Sequence, residues 1–170
     1  MRRILTTVSA AFVLAVLAMP ADAQLKVGAQ AAMLTSVEEA SGLDGTFGLG
    51  GRVALDPPLF PLGAIVSATY YFPGDDAGDL TYWTATAAAQ LRLPLPTVKP
   101  YVVAGWQLRR SAVGDLSSNE NGPMVGAGVQ LDLGLSVFLE GTLEFNEEIA
   151  AAPDFDNNPL VIKGGVMFGG

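Results

Sequence analysis

The chain has 170 residues, half of them hydrophobic and only 15% charged, with a mean hydropathy of +0.38; that length suits one domain, and the charge content lies well below the roughly 25% usual for soluble domains. It contains no Cys, which excludes disulfides, thiolate metal sites and a cysteine nucleophile, and no His, which removes the general base of Ser-His and Asp-His hydrolases. The net charge of −8 argues against nucleic acid as a partner, because a phosphate-binding protein needs a basic surface.

Residues 1–23 read as a cleavable secretory signal peptide. Arg2 and Arg3 form a positive start, Ile4 to Met19 is an apolar run, and Ala21-Asp22-Ala23 has the small-x-small form of a cleavage site. An uncleaved anchor is the alternative, although the run is short for a span of about 20 residues. Residues 24–170 then form the second unit, a barrel domain.

From Gln24 onward, segments of period two follow one another, the signature of strands. The expected strands are Leu25 to Met33, Thr46 to Leu55, Gly63 to Phe72, Thr81 to Leu93, Tyr101 to Arg109, Met124 to Leu133, Leu135 to Phe145 and Leu160 to Phe168. The sixth and seventh make the clearest hairpin, alternating on both sides of Gly134. Prolines at 57, 58, 61, 94 and 96 stop the ladder between strands, since proline cannot donate to it. Long acidic connections alternate with short ones carrying proline or glycine. The long ones are expected at Leu34 to Gly45, Pro73 to Asp79, Ser111 to Gly122 and Asn146 to Asn158. Eight strands with this alternation follow the plan of an all-β, closed, antiparallel, up-and-down transmembrane barrel in a bacterial outer membrane.

The charges sharpen that expectation. Lys26, Arg52, Arg92, Arg109, Asp132, Glu140, Glu144 and Lys163 all take the parity opposite to the Val/Leu/Phe face of their strands. A soluble barrel would put them outside; here the uncharged face is the one that must meet lipid, where a charge costs about 2–4 kcal/mol at mid-bilayer. Phe47, Tyr70, Phe72, Trp83 and Phe145 fall on the apolar face near the outer ends of their strands, as an aromatic girdle would. The alternative is core aromatics in a soluble sandwich.

Lys99-Pro100-Tyr101-Val102-Val103-Ala104-Gly105, Gly126-Ala127-Gly128-Val129 and Leu139-Glu140-Gly141 resemble the small outer-membrane β-barrel domain family, the OmpA/OmpX-type and opacity-protein-like barrels. The resemblance spans the chain from Gln24 onward. It implies the same fold, insertion by the barrel-assembly machinery, and no particular activity.

The inward face is the first candidate site. Lys26, Gln30, Arg52, Gln90, Arg92, Gln107, Arg109, Gln130, Asp132, Glu140, Glu144 and Lys163 would meet in an interior just wide enough for side chains to fill. They would form either a structural network that plugs the lumen or the lining of a narrow porin-like channel with an excess of positive charge. Gly28, Gly50, Gly126, Gly128 and Gly165 on the same face are expected to leave room for water, which favours the channel. Glu140 and Glu144 lie four residues apart on a strand, roughly 13 Å, too far for a glycosidase pair. An enzyme is not expected, and no cofactor or resident metal is.

The loops are the second candidate site. Glu38, Glu39, Asp44, Asp75, Asp76, Asp79, Asp115, Glu120, Glu147, Glu148, Asp154 and Asp156 are expected there as solvated acids. Residues 75–79 and 154–158 are weakly calcium-like without the spacing of a full calcium loop. Loosely held divalent ions could bridge these acids to lipopolysaccharide phosphates. The expected partners are therefore outer-membrane lipids, lipopolysaccharide where present, and the assembly machinery; no anchor residue identifies a loop partner.

Overall fold

Eight strands follow one another in the computed structural model, which describes residues 24–35, 45–57, 61–73, 80–93, 95–114, 116–145 and 159–169. They are β1 (Gln24–Thr35), β2 (Thr46–Asp56), β3 (Leu62–Phe72), β4 (Leu80–Arg92), β5 (Val98–Val113), β6 (Leu116–Asp132), β7 (Ser136–Glu144) and β8 (Leu160–Gly169). Each pairs antiparallel with the next, and β8 returns to pair with β1, from Lys26 opposite Gly169 to Thr35 opposite Leu160. The result is a closed barrel in strand order, with no helix among the described residues. Closure matters because an open edge would leave a row of N–H and C=O groups without partners in lipid. Residues 1–23, the expected signal peptide, lie outside the described residues.

The alternation in the sequence becomes an inside and an outside. Leu25, Val27, Leu49, Val53, Val66, Leu91, Val102, Val129, Leu139 and Ile162 are exposed on the outer wall, whereas Lys26, Arg52, Gln90, Gln130, Glu140 and Lys163 are buried in the interior. This reverses the arrangement of a water-soluble barrel. The interior also contains three apolar clusters that a polar-inside pattern does not suggest. Ala32, Leu34, Tyr71, Tyr82 and Val161 gather nearest the long connections; Ile65, Ala88, Tyr101, Val103 and Met124 form a second cluster, and Ala54, Phe138 and Met167 a third.

One expected loop is absent. The stretch Ser111 to Gly122 is strand, not loop: β5 runs on to Val113, β6 starts at Leu116, and their ladder continues up to Val113 opposite Leu116. Gly114, at φ 56°, makes the turn, a conformation that glycine adopts without strain. Ser117, Ser118, Asn119 and Glu120 are exposed, so these residues form a ladder with no apolar face to bury. Their polarity suggests a loop only if every strand must face lipid or core. Glu120 is therefore a strand residue. The other expected connections, at 36–44, 74–79 and 146–158, lie outside the described residues, as do their acids and Asp115.

The hairpin outgrows its neighbour. The β6–β7 ladder ends at Met124 opposite Glu144, and the Phe145 amide donates to the Pro123 carbonyl at 2.9 Å. Above that point β6 pairs with β5 alone among the described residues. On this geometry, Val66→Arg, on the apolar wall, should destabilise the membrane-inserted barrel by about 2–4 kcal/mol. Ser117→Arg, on the polar extension, should change stability by no more than about 0.5 kcal/mol. Equilibrium urea unfolding in lipid vesicles measures both.

Candidate functional site

The interior side chains form three linked tiers. The first lies at the end of the short connections, where β2, β4 and β6 finish. There Arg92 Nη1 meets Asp56 Oδ2 at 2.6 Å, Lys26 Nζ lies 3.4 Å from the same Asp56 oxygen, and Lys26 also reaches Asp132 Oδ1 at 3.5 Å. Lys99 Nζ donates to Asp132 Oδ2 at 2.5 Å. Ser136 Oγ donates to Asp132 Oδ1 at 2.6 Å, Gln130 Nε2 donates to that oxygen at 2.8 Å, and Lys26 Nζ donates to Ser136 Oγ at 3.0 Å. One connected set of polar groups thus crosses the barrel from β1, β2 and β4 to β5, β6 and β7.

The middle tier is centred on Arg52 and Glu140, both buried. Arg52 Nη2 donates to Glu140 Oε2 at 2.8 Å, and the Tyr101 hydroxyl donates to the same oxygen at 3.0 Å. The Arg52 guanidinium also lies over the Phe138 ring, 4.1 Å from its centroid, a cation–π contact strengthened by the burial of both side chains. Gln30 Nε2 donates to Thr69 Oγ1 at 2.8 Å nearby. The third tier lies toward the long connections. Arg109 Nη2 donates to Glu144 Oε2 at 3.1 Å, Lys163 Nζ lies 3.8 Å from Glu144 Oε1, and Arg109 Nη1 lies 3.5 Å from Glu120 Oε2. Tyr71 and Tyr82 pack together above, with ring centroids 5.1 Å apart.

All twelve residues singled out from parity therefore point inward. Glu140 and Glu144 are engaged by different cations, Arg52 for the first and Arg109 and Lys163 for the second. Gln90 and Gln107 are buried on the same face without a side-chain partner for Gln90 Nε2 or Gln107 Oε1. Two ionic residues escaped the sequence reading. Asp56, one residue beyond the expected strand Thr46 to Leu55, is the shared acceptor of Lys26 and Arg92, and Lys99, two residues before the expected strand Tyr101 to Arg109, is the partner of Asp132. Parity contained the signal for both: Asp56 shares the parity of Arg52, and Lys99 that of Arg109. The expected strand ends concealed it: β2 runs one residue further than expected, and β5 starts three residues earlier. With Asp56 and Glu120 counted, the anions are more numerous than expected and each cation of the tiers faces at least one carboxylate.

The inward glycines do not open space. A Cβ at Gly128 would lie 2.6 Å from the Tyr101 ring, one at Gly165 2.8 Å from the Phe138 ring, one at Gly48 2.8 Å from the Tyr71 ring, and one at Gly28 2.8 Å from Met167 Cγ. Each of these pairs is directly opposed across a ladder: Tyr101 with Gly128, Phe138 with Gly165, Tyr71 with Gly48, and Met167 with Gly28. A large side chain lies across each glycine and occupies its vacant volume. At Gly28, Gly128 and Gly165 the expectation of room for water is corrected on that ground; at Gly50 the added atom would meet the Ala68 and Thr69 backbone, and at Gly126 the Gly141 carbonyl and the Thr142 side chain.

The aromatic residues occupy the outer wall. Phe47, Tyr70 and Phe72 are exposed, Trp83 is half-buried, and Phe145 follows the end of β7. They are neighbours by register, with Phe47 opposite Phe72 and Tyr70 opposite Trp83.

Comparison with solved structures supports the same class. Neisserial surface protein A matches with a TM-score of 0.56 at 16% identity, over 87% of this chain and 97% of that one. The attachment invasion locus protein Ail of Yersinia pestis matches with a TM-score of 0.58 at 16% identity, over 89% of this chain and all of that one. Ail in complex with the heparin analogue sucrose octasulfate matches at 0.55 and 14% identity, over 87% and 97%. The fold is that of the small eight-stranded outer-membrane β-barrels. No family model and no curated protein sequence matches the chain.

Two substitutions probe the interior. Glu140→Ala leaves Arg52 buried without its carboxylate and should cost about 3–5 kcal/mol. Gly128→Val drives a branched side chain into the Tyr101 ring and should cost about 1–3 kcal/mol by overpacking. Urea titration, read by the gel shift between heated and unheated samples, measures both.

Proposed function

We propose that this protein is an integral outer-membrane barrel whose lumen is filled by side chains, with a structural or surface-interaction role. A signal peptide at residues 1–23 would direct its export, the assembly machinery would insert it, and its partners would be outer-membrane lipids, including lipopolysaccharide where present. The barrel would hold the acidic segments between β1 and β2, β3 and β4, and β7 and β8 outside the cell. The observation that carries this reading is the buried Arg52–Glu140–Tyr101 group, which spans the interior at mid-height with Phe138 stacked against it. The opposed glycine and aromatic pairs add to it, because they fill the volume a pore would need. The similar structures, a neisserial surface protein and an attachment invasion locus protein, accord with a surface role. A non-catalytic role is consistent with a chain that lacks both His and Cys.

A second reading is a narrow channel for small solutes. It rests on Gln30 Oε1, Gln90 Nε2, Gln107 Oε1 and Gln130 Oε1, buried polar atoms without a protein partner that would suit water. Single-channel recording in a planar bilayer, on protein first shown to be folded by its gel shift, separates the two. A filled lumen predicts no steady conductance, and Arg92→Ala should lower stability without opening one, since Asp56 retains Lys26. A reproducible conductance whose ion selectivity changes in Arg92→Ala would instead establish the channel.

A further inference from the structure

Among the described strand residues, the outer wall carries a single charge, Arg110. Arg109 before it points inward to Glu144, and Arg110 is exposed on the opposite face of β5. Its position along the wall is informative. On β5 the outward residues up to Leu108 are apolar, and Arg110 is the next. On β4 the outward series Leu91, Ala89, Ala87, Ala85 and Trp83 gives way to Thr81. On β6 the series Val129, Ala127, Val125 and Pro123 gives way to Asn121 and Asn119. The ladders place these transitions side by side, with Trp83 opposite Arg110, Arg110 opposite Asn119, and Leu108 opposite Asn121. Arg110 is therefore the first residue beyond the apolar band.

Of the chain's two tryptophans, Trp83 lies across the β4–β5 ladder from Arg110, and Trp106 lies four residues before it on β5, opposite Ala87 and within the apolar band. The Trp106 indole N–H donates to Asn121 Oδ1 at 3.2 Å. Tryptophan prefers the membrane–water boundary, where its ring meets acyl chains and its N–H meets polar groups. Trp83, Asn119 and the Arg110 guanidinium thus meet at the edge of the apolar band, with Trp106 and Asn121 just below them. Arg110 has no ion pair among the described residues, and a guanidinium matches two phosphate oxygens at once.

We infer that the Arg110 patch on β4, β5 and β6 is a binding site for the phosphate of an anionic lipid headgroup in the leaflet nearest the long connections. A chain of net charge −8 repels anionic lipid as a whole, so any preference for it must arise locally, and this patch is where the outer wall offers a cation. The inference depends on the barrel spanning a bilayer but not on whether its lumen conducts.

The tryptophans provide the test. The full chain is reconstituted in phosphatidylcholine vesicles containing either brominated phosphatidic acid or brominated phosphatidylcholine, and quenching of tryptophan fluorescence reports which lipid occupies the patch. One interfacial cation should enrich the anionic lipid about fivefold. Arg110→Gln should abolish the preference, and Arg110→Lys should retain it. Asn119→Glu, which sets a carboxylate across the ladder from Arg110, should abolish it by a second route. Equal quenching by the two lipids in the unaltered protein would overturn the proposal, as would an undiminished preference in Arg110→Gln and Asn119→Glu. Inorganic phosphate at millimolar concentration should leave the preference intact; if it removes the preference, the site takes a soluble anion and the lipid assignment fails.

Discussion

The ladder between β1 and β8 is the constraint on which everything else rests. In lipid, every backbone N–H and C=O must find a partner within the protein, and only a sheet without edges meets that condition across its width. Once β8 pairs with β1, eight strands enclose an interior too narrow to be left empty and too enclosed to be solvated like a surface. Outside, the wall must be apolar. Inside, the polar groups must satisfy one another. Both requirements act on the same strands at alternate residues, which is why the chain has a high mean hydropathy and yet places Arg, Lys and Glu at the centre of the molecule.

The interior meets its requirement in two ways. Charges are matched in tiers, so that desolvation of each guanidinium and ammonium is offset by a carboxylate at hydrogen-bonding or ion-pair distance. Bulk is matched by opposing a large residue to a glycine across a ladder, so that the ring or thioether occupies the space the glycine leaves. The two devices meet at Glu140, which accepts from Arg52 and from Tyr101, the residue that covers Gly128. Replacing either kind of partner would therefore disturb both the packing and the electrostatics of the middle tier.

Most of this architecture was legible in the sequence because alternation is a local property. Val27, Leu49, Val66 and Leu139 mark the lipid face, and Lys26, Arg52 and Glu140 the interior, without any knowledge of which strand neighbours which. What was not legible depends on register or on context outside the bilayer. That Gly128 lies opposite Tyr101, or Gly165 opposite Phe138, follows only from pairing residues about 27 positions apart in sequence, which periodicity does not reveal. Ser111 to Gly122 was hidden for another reason. A ladder in water needs no apolar face, so its composition is that of a loop, and only its partner across the turn makes it a strand. Asp56 and Lys99 were missed because they sit at strand ends, where a proline nearby suggests that the strand has already stopped.

Some interior contacts join strands that are remote along the chain: the Arg52–Glu140 ion pair spans 88 residues, and the Lys26–Ser136 hydrogen bond 110. The local hairpins already bring together Lys26 with Asp56, Lys99 with Asp132 and Lys163 with Glu144, whereas Arg52 and Glu140, on β2 and β7, meet only across the closed barrel. Neutralisation of the middle tier is consequently tied to closure of the wall. A half-assembled sheet, or one closed with its register slipped by a residue, would carry bare guanidinium and carboxylate groups into the bilayer, at a cost no partial structure could offset. The buried Arg52 and Glu140 thereby penalise an incomplete barrel, because each then lacks the partner that closure supplies.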